Sequence, residues 1–289
     1  MKIGTLVRIE NINEADQKFS DLENMGFSVC QIVYKPEVYN YEEADIIKDA
    51  AGRHGVTVTA QFCGYNDAFY DWDNYYGFKT AGINVPMYGK SRIEYVKNAA
   101  LFAKRMGVTD VIIHAGFVPN DPFSESYGAM QAAIHTLGSF LKRQGMNLLL
   151  ETGGEAPIAM LRIIEDVGLG NIFINFDPAN ILMYGYGNPV DALYVFGKYV
   201  KNMHGKDGCL PTNPKVLGKE SVVGEGMVDF PKVFDKLKEI GYDSYVIIER
   251  EISGEKQIED IKKAKAYFEK LMGTVCRSKW RENDEKENT

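Results

Sequence analysis

The sequence predicts a single α/β domain closed as a (β/α)₈ barrel, and three observations carry that prediction. Eight short apolar runs alternate with longer helical patterns, and the alternation never breaks. No GxGxxG or GxxxxGK[ST] follows the first run, which removes the usual sign of an open nucleotide-binding sheet. The chain, at 289 residues, is near the roughly 250 that such a barrel takes as one unit.

In chain order the strand candidates are Lys2–Val7, Ser28–Tyr34, Thr57–Phe62, Asp110–His114, Asn147–Glu151, Ile172–Asp177, Val200–His204 and Tyr245–Glu249. Each is short, rich in β-branched residues and almost continuously apolar, as parallel strands buried on both faces must be. Helical patterns intervene, among them Ile93–Met106, Tyr127–Gln144, Ala156–Val167, Pro231–Ile240 and Gln257–Leu271. Several stop on glycine (Met25-Gly26, His54-Gly55, Met106-Gly107, Ile240-Gly241), where a helix end calls for a left-handed residue. The barrel is placed at residues 1–273. The polar stretch 274–289 has no periodicity and is expected to be a frayed, disordered tail.

Two connections are too long for simple turns. Residues 64–90 carry Tyr65, Phe69, Tyr70, Trp72, Tyr75, Tyr76 and Phe78, and residues 207–227 follow the seventh run. So many aromatics are not expected to stay in water. They would line a sugar pocket or bury against another subunit of a homo-oligomer, and the pattern does not choose.

Composition narrows the partners. A formal net charge of -7 argues against nucleic acid, which needs a dense basic surface. No apolar run approaches the roughly 20 residues needed to span a bilayer. The first eight residues read directly as a strand and lack the apolar region of a secretion signal. Cys30, Cys63, Cys209 and Cys276 are scattered without CxxC spacing, as expected of reduced thiols. Together these features suggest a cytoplasmic enzyme acting on a small molecule.

The chemistry is expected at the C-terminal ends of the strands, where barrels of this kind place their sites. The last residues of the four late runs are Glu151, Asp177, His204 and Glu249. Each carboxylate ends an apolar run, where an uncompensated charge would cost several kcal/mol. A shared divalent cation is the simplest compensation. Three carboxylates and one imidazole form a mostly hard-oxygen set, favouring Mn²⁺, with Mg²⁺, Co²⁺ or Zn²⁺ as alternatives. A single strand-end acid more often caps a helix, but four consecutive strand ends with ligand-type residues are hard to obtain that way.

These segments resemble the sugar phosphate isomerase/epimerase family, the xylose isomerase-like TIM barrels. That family includes ketose 3-epimerases, inosose dehydratase and an endonuclease IV branch. The resemblance is carried by Glu151-Thr-Gly-Gly-Glu155, Asp177-Pro-Ala-Asn180, His204-Gly-Lys-Asp207, Gly224-Glu-Gly-Met-Val-Asp-Phe-Pro231 and Ile248-Glu249-Arg250-Glu251, and extends to Met272. It implies that Glu151, Asp177, His204 and Glu249 bind one metal ion, and that Glu151 and Glu249 also move protons. A Lewis acid at that point would acidify a C–H beside a sugar carbonyl. A carboxylate on one face would remove the proton to give an enediolate, and another would return one.

The sequence departs from the ketose 3-epimerases at two places. Asn180 stands where they carry a histidine, and Lys206 and Asp207 occupy the loop where they carry a substrate-binding arginine. Asn180 and Lys206 are therefore the candidate substrate contacts, with Lys206 holding a phosphate or sugar oxygen or merely pairing with Asp207. His114 ends the fourth run and is the candidate acid/base beside the metal strands. Glu155 reads as a cap of the following helix, Asp229 as the cap of a helix with Pro231 in its first turn, and Arg250 as the partner of a nearby acid. His54 and His135 fall in or at the ends of helices and receive no role.

The leading expectation is a metal-dependent isomerase or epimerase acting on a ketose or oxidised sugar. Its rival is a lyase or dehydratase on a keto-sugar, keto-inositol or 3-oxo-glycoside, in which the same enediolate expels a β-substituent. Phosphodiester cleavage of the endonuclease IV kind would need more histidines than the four present. A non-catalytic barrel stays open as well, because fold alone does not specify function.

Overall fold

Alternation along the strands decides what points into the barrel. The computed structural model describes residues 1–65, 67 and 70–286, with residues 274–286 as backbone alone. Within these, β1 (Lys2–Val7), β2 (Val29–Val33), β3 (Thr57–Cys63), β4 (Asp110–Ile113), β5 (Asn147–Glu151), β6 (Ile172–Phe176), β7 (Val200–Gly205) and β10 (Tyr245–Ile248) form a closed parallel barrel. Its order follows the chain, and β1 closes it against β10 with Gly4 opposite Ile247. The expected fold class is the observed one.

Four strands, β2, β4, β6 and β10, are one or two residues shorter than the apolar runs suggested, while β3 and β7 each run one residue longer. His114, Asp177 and Glu249 lie just past their strand ends, while Glu151 and His204 remain inside theirs. The barrel interior is filled by Leu6, Val29 and Ile247 on one side and Ala60, Ile112 and Leu149 on the other. Side chains two residues apart share a strand face. Inward Leu149 and Ile247 therefore place Glu151 and Glu249 inward at the mouth. Asn175 and Asn202 are opposite one another and joined by an amide hydrogen bond, and they bring Asp177 and His204 to the same level.

Outside the barrel lie α1 (Ala15–Asn24), α2 (Ala44–Arg53), α3 (Gly77–Thr80), α4 (Gly89–Met106), α5 (Glu125–Arg143), α6 (Pro157–Val167), α7 (Pro178–Tyr184), α8 (Pro189–Phe196), α9 (Phe230–Glu239) and α10 (Glu255–Lys286). The four glycines expected beyond helix ends all have positive φ, between 62° and 85°. Asp229 caps α9 by accepting the Lys232 N–H, as expected. The short helices α7 and α8 were not anticipated. Asp177 and Asn188 cap them, each with proline in the first turn.

The connection after β7 is more ordered than a plain loop. It folds back as a two-residue antiparallel pair, β8 (Asp207–Gly208) with β9 (Glu220–Ser221). Among the described residues no helix is long and apolar enough to cross a membrane. Phe69 and residues 287–289 lie outside the described residues, and so do the side chains of 274–286, including Cys276; of the expected tail, residues 274–286 are described as backbone within α10.

Candidate metal centre

The four strand-end residues converge. One ligand atom from each of Glu151, Asp177, His204 and Glu249 lies within 4.8 Å of all the others. The four are at most 5% exposed. His204 Nδ1 is 2.7 Å from Glu151 Oε1 and 3.1 Å from Glu249 Oε2. Both Glu151 oxygens, Asp177 Oδ2 and His204 Nδ1 are buried without a hydrogen-bond partner. Leaving such atoms unsatisfied is expensive, and a cation between them removes the cost.

The opposite edge of each ligand is occupied. His204 Nε2 is 2.9 Å from Gln31 Oε1, so the Nε2–H donates to Gln31 and Nδ1 faces the cluster. Asp177 uses Oδ1 to accept the Asn180 N–H at 2.9 Å, leaving Oδ2 free for the centre. It thus combines the helix-cap and ligand roles that the sequence set against each other. Thr152 ties the loops together: its hydroxyl accepts the Asp177 N–H and donates to the Asp177 carbonyl. The residues present therefore fit a divalent ion held by Glu151, Asp177, His204 and Glu249.

Electrostatics agree with a site short of positive charge. Burial pushes the Asp177 carboxyl up, Lys206 opposes this, and the carboxylates of Glu151 and Glu249 push it further. Burial also works against the charge on Glu249, but Lys206 and His204 outweigh it and hold that carboxyl well below the usual range. Burial disfavours the His204 cation, yet Glu151 and Glu249 overcome it and push the imidazole up to about 10.

Lys206 corrects one expectation. Its ammonium does not pair with Asp207. It lies 2.5 Å from Glu251, 3.2 Å from Asn180 Oδ1, 3.5 Å from Glu249 and 3.7 Å from Asp177. Asp207 instead anchors the following loop, accepting the N–H groups of Gly208, Gly224, Gly226 and Val228 at 2.8–3.1 Å. A Cβ at Gly226 would fall 2.1 Å from an Asp207 oxygen, which is why glycine occupies that position.

Glu155 is the second correction. The cap position of α6 is Ala156, without a side-chain hydrogen bond. Glu155 is buried and accepts the Gly153 N–H at 2.9 Å; burial first, then the Glu151 charge, push its carboxyl up to about 8 against that hydrogen bond. Arg250 pairs with Glu220 and Asp260 as expected of a structural residue.

His114 reaches the centre, with Nε2 3.1 Å from Glu151 Oε2. Its ring lies against Trp72 and Phe62, with centroids 4.8 and 5.9 Å away. The Tyr65 hydroxyl donates to its carbonyl. The aromatic loop therefore divides. Tyr65 and Trp72 wall the site beside His114, while Tyr75, Tyr76 and Phe78 stay 52%, 59% and 56% exposed.

Sequence reading missed Gln31, Thr152 and Glu251. Only Gln31 left a signal: a glutamine inside the otherwise apolar run Val29–Val33.

Comparisons with known proteins bear on the fold and the family. A solved xylose isomerase domain protein from Planctomyces limnophilus superposes with a TM-score of 0.87 at 28% identity, over 96% of this chain and 99% of that one. A solved L-ribulose 3-epimerase, at 18% identity and a TM-score of 0.72 over 96% of each chain, shares the fold. Among curated sequences, an uncharacterised protein of Methanocaldococcus jannaschii is 26% identical over 199 residues, 64% of each chain. The inosose dehydratase of Geobacillus thermodenitrificans is 23% identical over 146 residues, 44% of this chain and 48% of that protein. The chain thus matches only about half to two thirds of the length of these curated relatives. The family model of the xylose isomerase-like TIM barrel matches residues 19–271. With the closed parallel barrel around it, the chain belongs to the xylose isomerase-like TIM-barrel family.

Proposed function

We propose that the chain is a divalent-metal-dependent isomerase or epimerase that moves a proton beside the carbonyl of a ketose or oxidised sugar. One observation supports this above the others: Glu151 and Glu249 approach the same atom, His204 Nδ1, from strands three steps apart around the barrel. Two carboxylates so placed can address opposite faces of one carbon. Mn²⁺ is the proposed ion, held by Glu151, Asp177, His204 and Glu249, and when bound it supplies Lewis acidity toward the sugar oxygens.

The chain's own residues do the rest. Glu249, kept ionised beside Lys206 and His204, takes the proton. Glu151 delivers one to the other face, and His114 at 3.1 Å supplies it through Glu151 Oε2. Asn180 and Lys206, hydrogen-bonded to each other beside Asp177, orient the sugar hydroxyls. Phe62 and Trp72 pack against the His114 ring and fix its orientation.

A second reading, a lyase or dehydratase on a keto-sugar, keto-inositol or 3-oxo-glycoside, is favoured by the Glu155 carboxyl. Pushed up to about 8, it is mostly protonated at neutral pH and sits four residues beyond Glu151. The likeness to inosose dehydratase points the same way. Incubating Mn²⁺-loaded protein in deuterium oxide with ketoses and 3-oxo-sugars separates the two. Deuterium uptake with an isomeric product supports the isomerase, and uptake with loss of water or aglycone supports the lyase. No uptake across the panel, with metal bound, refutes both.

A further inference from the structure

The metal centre does not account for the cavity beside it. The outer helices pack pairwise from α1 round to α10, and the seam between α10 and α1 is the least tightly packed. A groove of about 1050 Å³ occupies that seam, running from the barrel mouth at Arg8 and Glu251 down between the two helices. Its floor is apolar, with Leu22 and Ile261. It is large for a ligand site, since pockets for drug-sized molecules span roughly 300–1,000 Å³.

Cations predominate among its unpaired charges. Glu10 is engaged by Lys35, and Glu251 by Lys206. Arg8, Lys18 and Lys262 also line the groove, and among the described residues none has a carboxylate within ion-pair distance. Asp21 is the remaining acid there, hydrogen-bonded to Gln17.

Arg8 links this groove to the metal centre. Gly4, Leu6 and Arg8 share one face of β1 and its extension, and Leu6 packs on Ile247 inside the barrel. Arg8 therefore stands over the mouth on the strand beside β10, where its charge acts on Glu249. Its guanidinium has no hydrogen-bonded partner among the described residues, although a planar five-donor fork is suited to a carboxylate or phosphate.

We propose that this groove receives the part of the substrate remote from the reacting carbons, that this part carries an anionic group, and that Arg8 determines specificity for it. The proposal rests on the sugar-isomerase reading of the metal centre. Arg8 binds the anion through paired N–H donors, with Lys18 and Lys262 adding attraction from the helices on either side.

The test is calorimetric titration of Mn²⁺-loaded wild type, Arg8→Gln and Arg8→Lys with D-fructose, D-fructuronate and D-fructose 6-phosphate, alongside deuterium uptake with the same sugars. At least one anionic sugar is expected to bind about tenfold to hundredfold more tightly than D-fructose, the range of a charge-assisted hydrogen bond. Arg8→Gln should erase that preference, and Arg8→Lys should restore part of it. A gain confined to fructuronate identifies a carboxylate, and one confined to the phosphate identifies a phosphoryl group. An unchanged anion-to-neutral ratio in Arg8→Gln, or no preferential anion binding by wild type, overturns the proposal. An Arg8-dependent preference without deuterium uptake would leave the anion site standing and remove the isomerase reading.

Discussion

Replacing Gln31 by leucine isolates the support of the metal centre from its ligands. Gln31 Oε1 accepts from His204 Nε2 at 2.9 Å, and both residues are fully buried. Leucine is of similar volume, so the change opens little cavity and removes one acceptor. The imidazole N–H is then buried without a partner, at a cost of about 1–3 kcal/mol. Loss of such an outer partner typically weakens metal binding by roughly 10- to 100-fold, which corresponds to about 1.4–2.8 kcal/mol. The two estimates agree, so the predicted loss in Mn²⁺ affinity is of that size.

The assay is competition for Mn²⁺ against a chelating dye, with thermal unfolding as the control for folding. Its pH dependence gives a second check. In the metal-free protein burial works against the His204 cation, but Glu151 and Glu249 push its pKa up to about 10. Metal must displace that proton, so affinity should rise about tenfold per pH unit from neutrality toward pH 10. By the same sign, the proton's contribution to metal-free stability is complete below about pH 6.5 and lost as pH rises through 10. A folded Gln31→Leu variant with wild-type affinity would refute the orienting role. An affinity that does not change with pH would refute Nδ1 as the ligand atom.

Other substitutions probe the remaining parts. Asp177→Ala and His204→Ala should abolish Mn²⁺ binding by calorimetry, and full occupancy in both would sink the site. Asp177→Asn should also lose the ion but keep the cap on α7, and so be about 1 kcal/mol more stable than Asp177→Ala in urea. Glu155, pushed up to about 8, binds its proton more tightly folded than unfolded, so stability should fall between pH 4.5 and 8. Glu155→Gln should flatten that decline, and an unchanged slope in urea titrations would exclude the buried acid as its source. Gly226→Ala drives a methyl group into Asp207 and should destabilise by about 1–3 kcal/mol, read as a lower unfolding midpoint.

Much of the barrel was legible because parallel strands buried on both faces leave an unmistakable apolar signature. Strand ends were less legible, since buried residues such as Asp177 and Glu249 follow directly on the last ladder pairing. Helix α7 was hidden because its seven residues are buried throughout and show no amphipathic period. Glu155 was misread for a related reason: a carboxylate just before a helix looks like a cap until the path of the backbone is known.

The sequence alone determined where the candidate site lies. Four ligand-type residues ending apolar runs set its donor atoms, and the two-residue periodicity of strands set the direction each side chain points. Only the tertiary structure decided the partners. Gln31 meets His204 across 173 positions of chain, Lys206 turns to Glu251 rather than its neighbour Asp207, and Arg8 joins the mouth because β1 closes the barrel against β10. Sequence spacing carries local directions, whereas charge pairing depends on distances of a few ångströms that closure of the barrel alone creates.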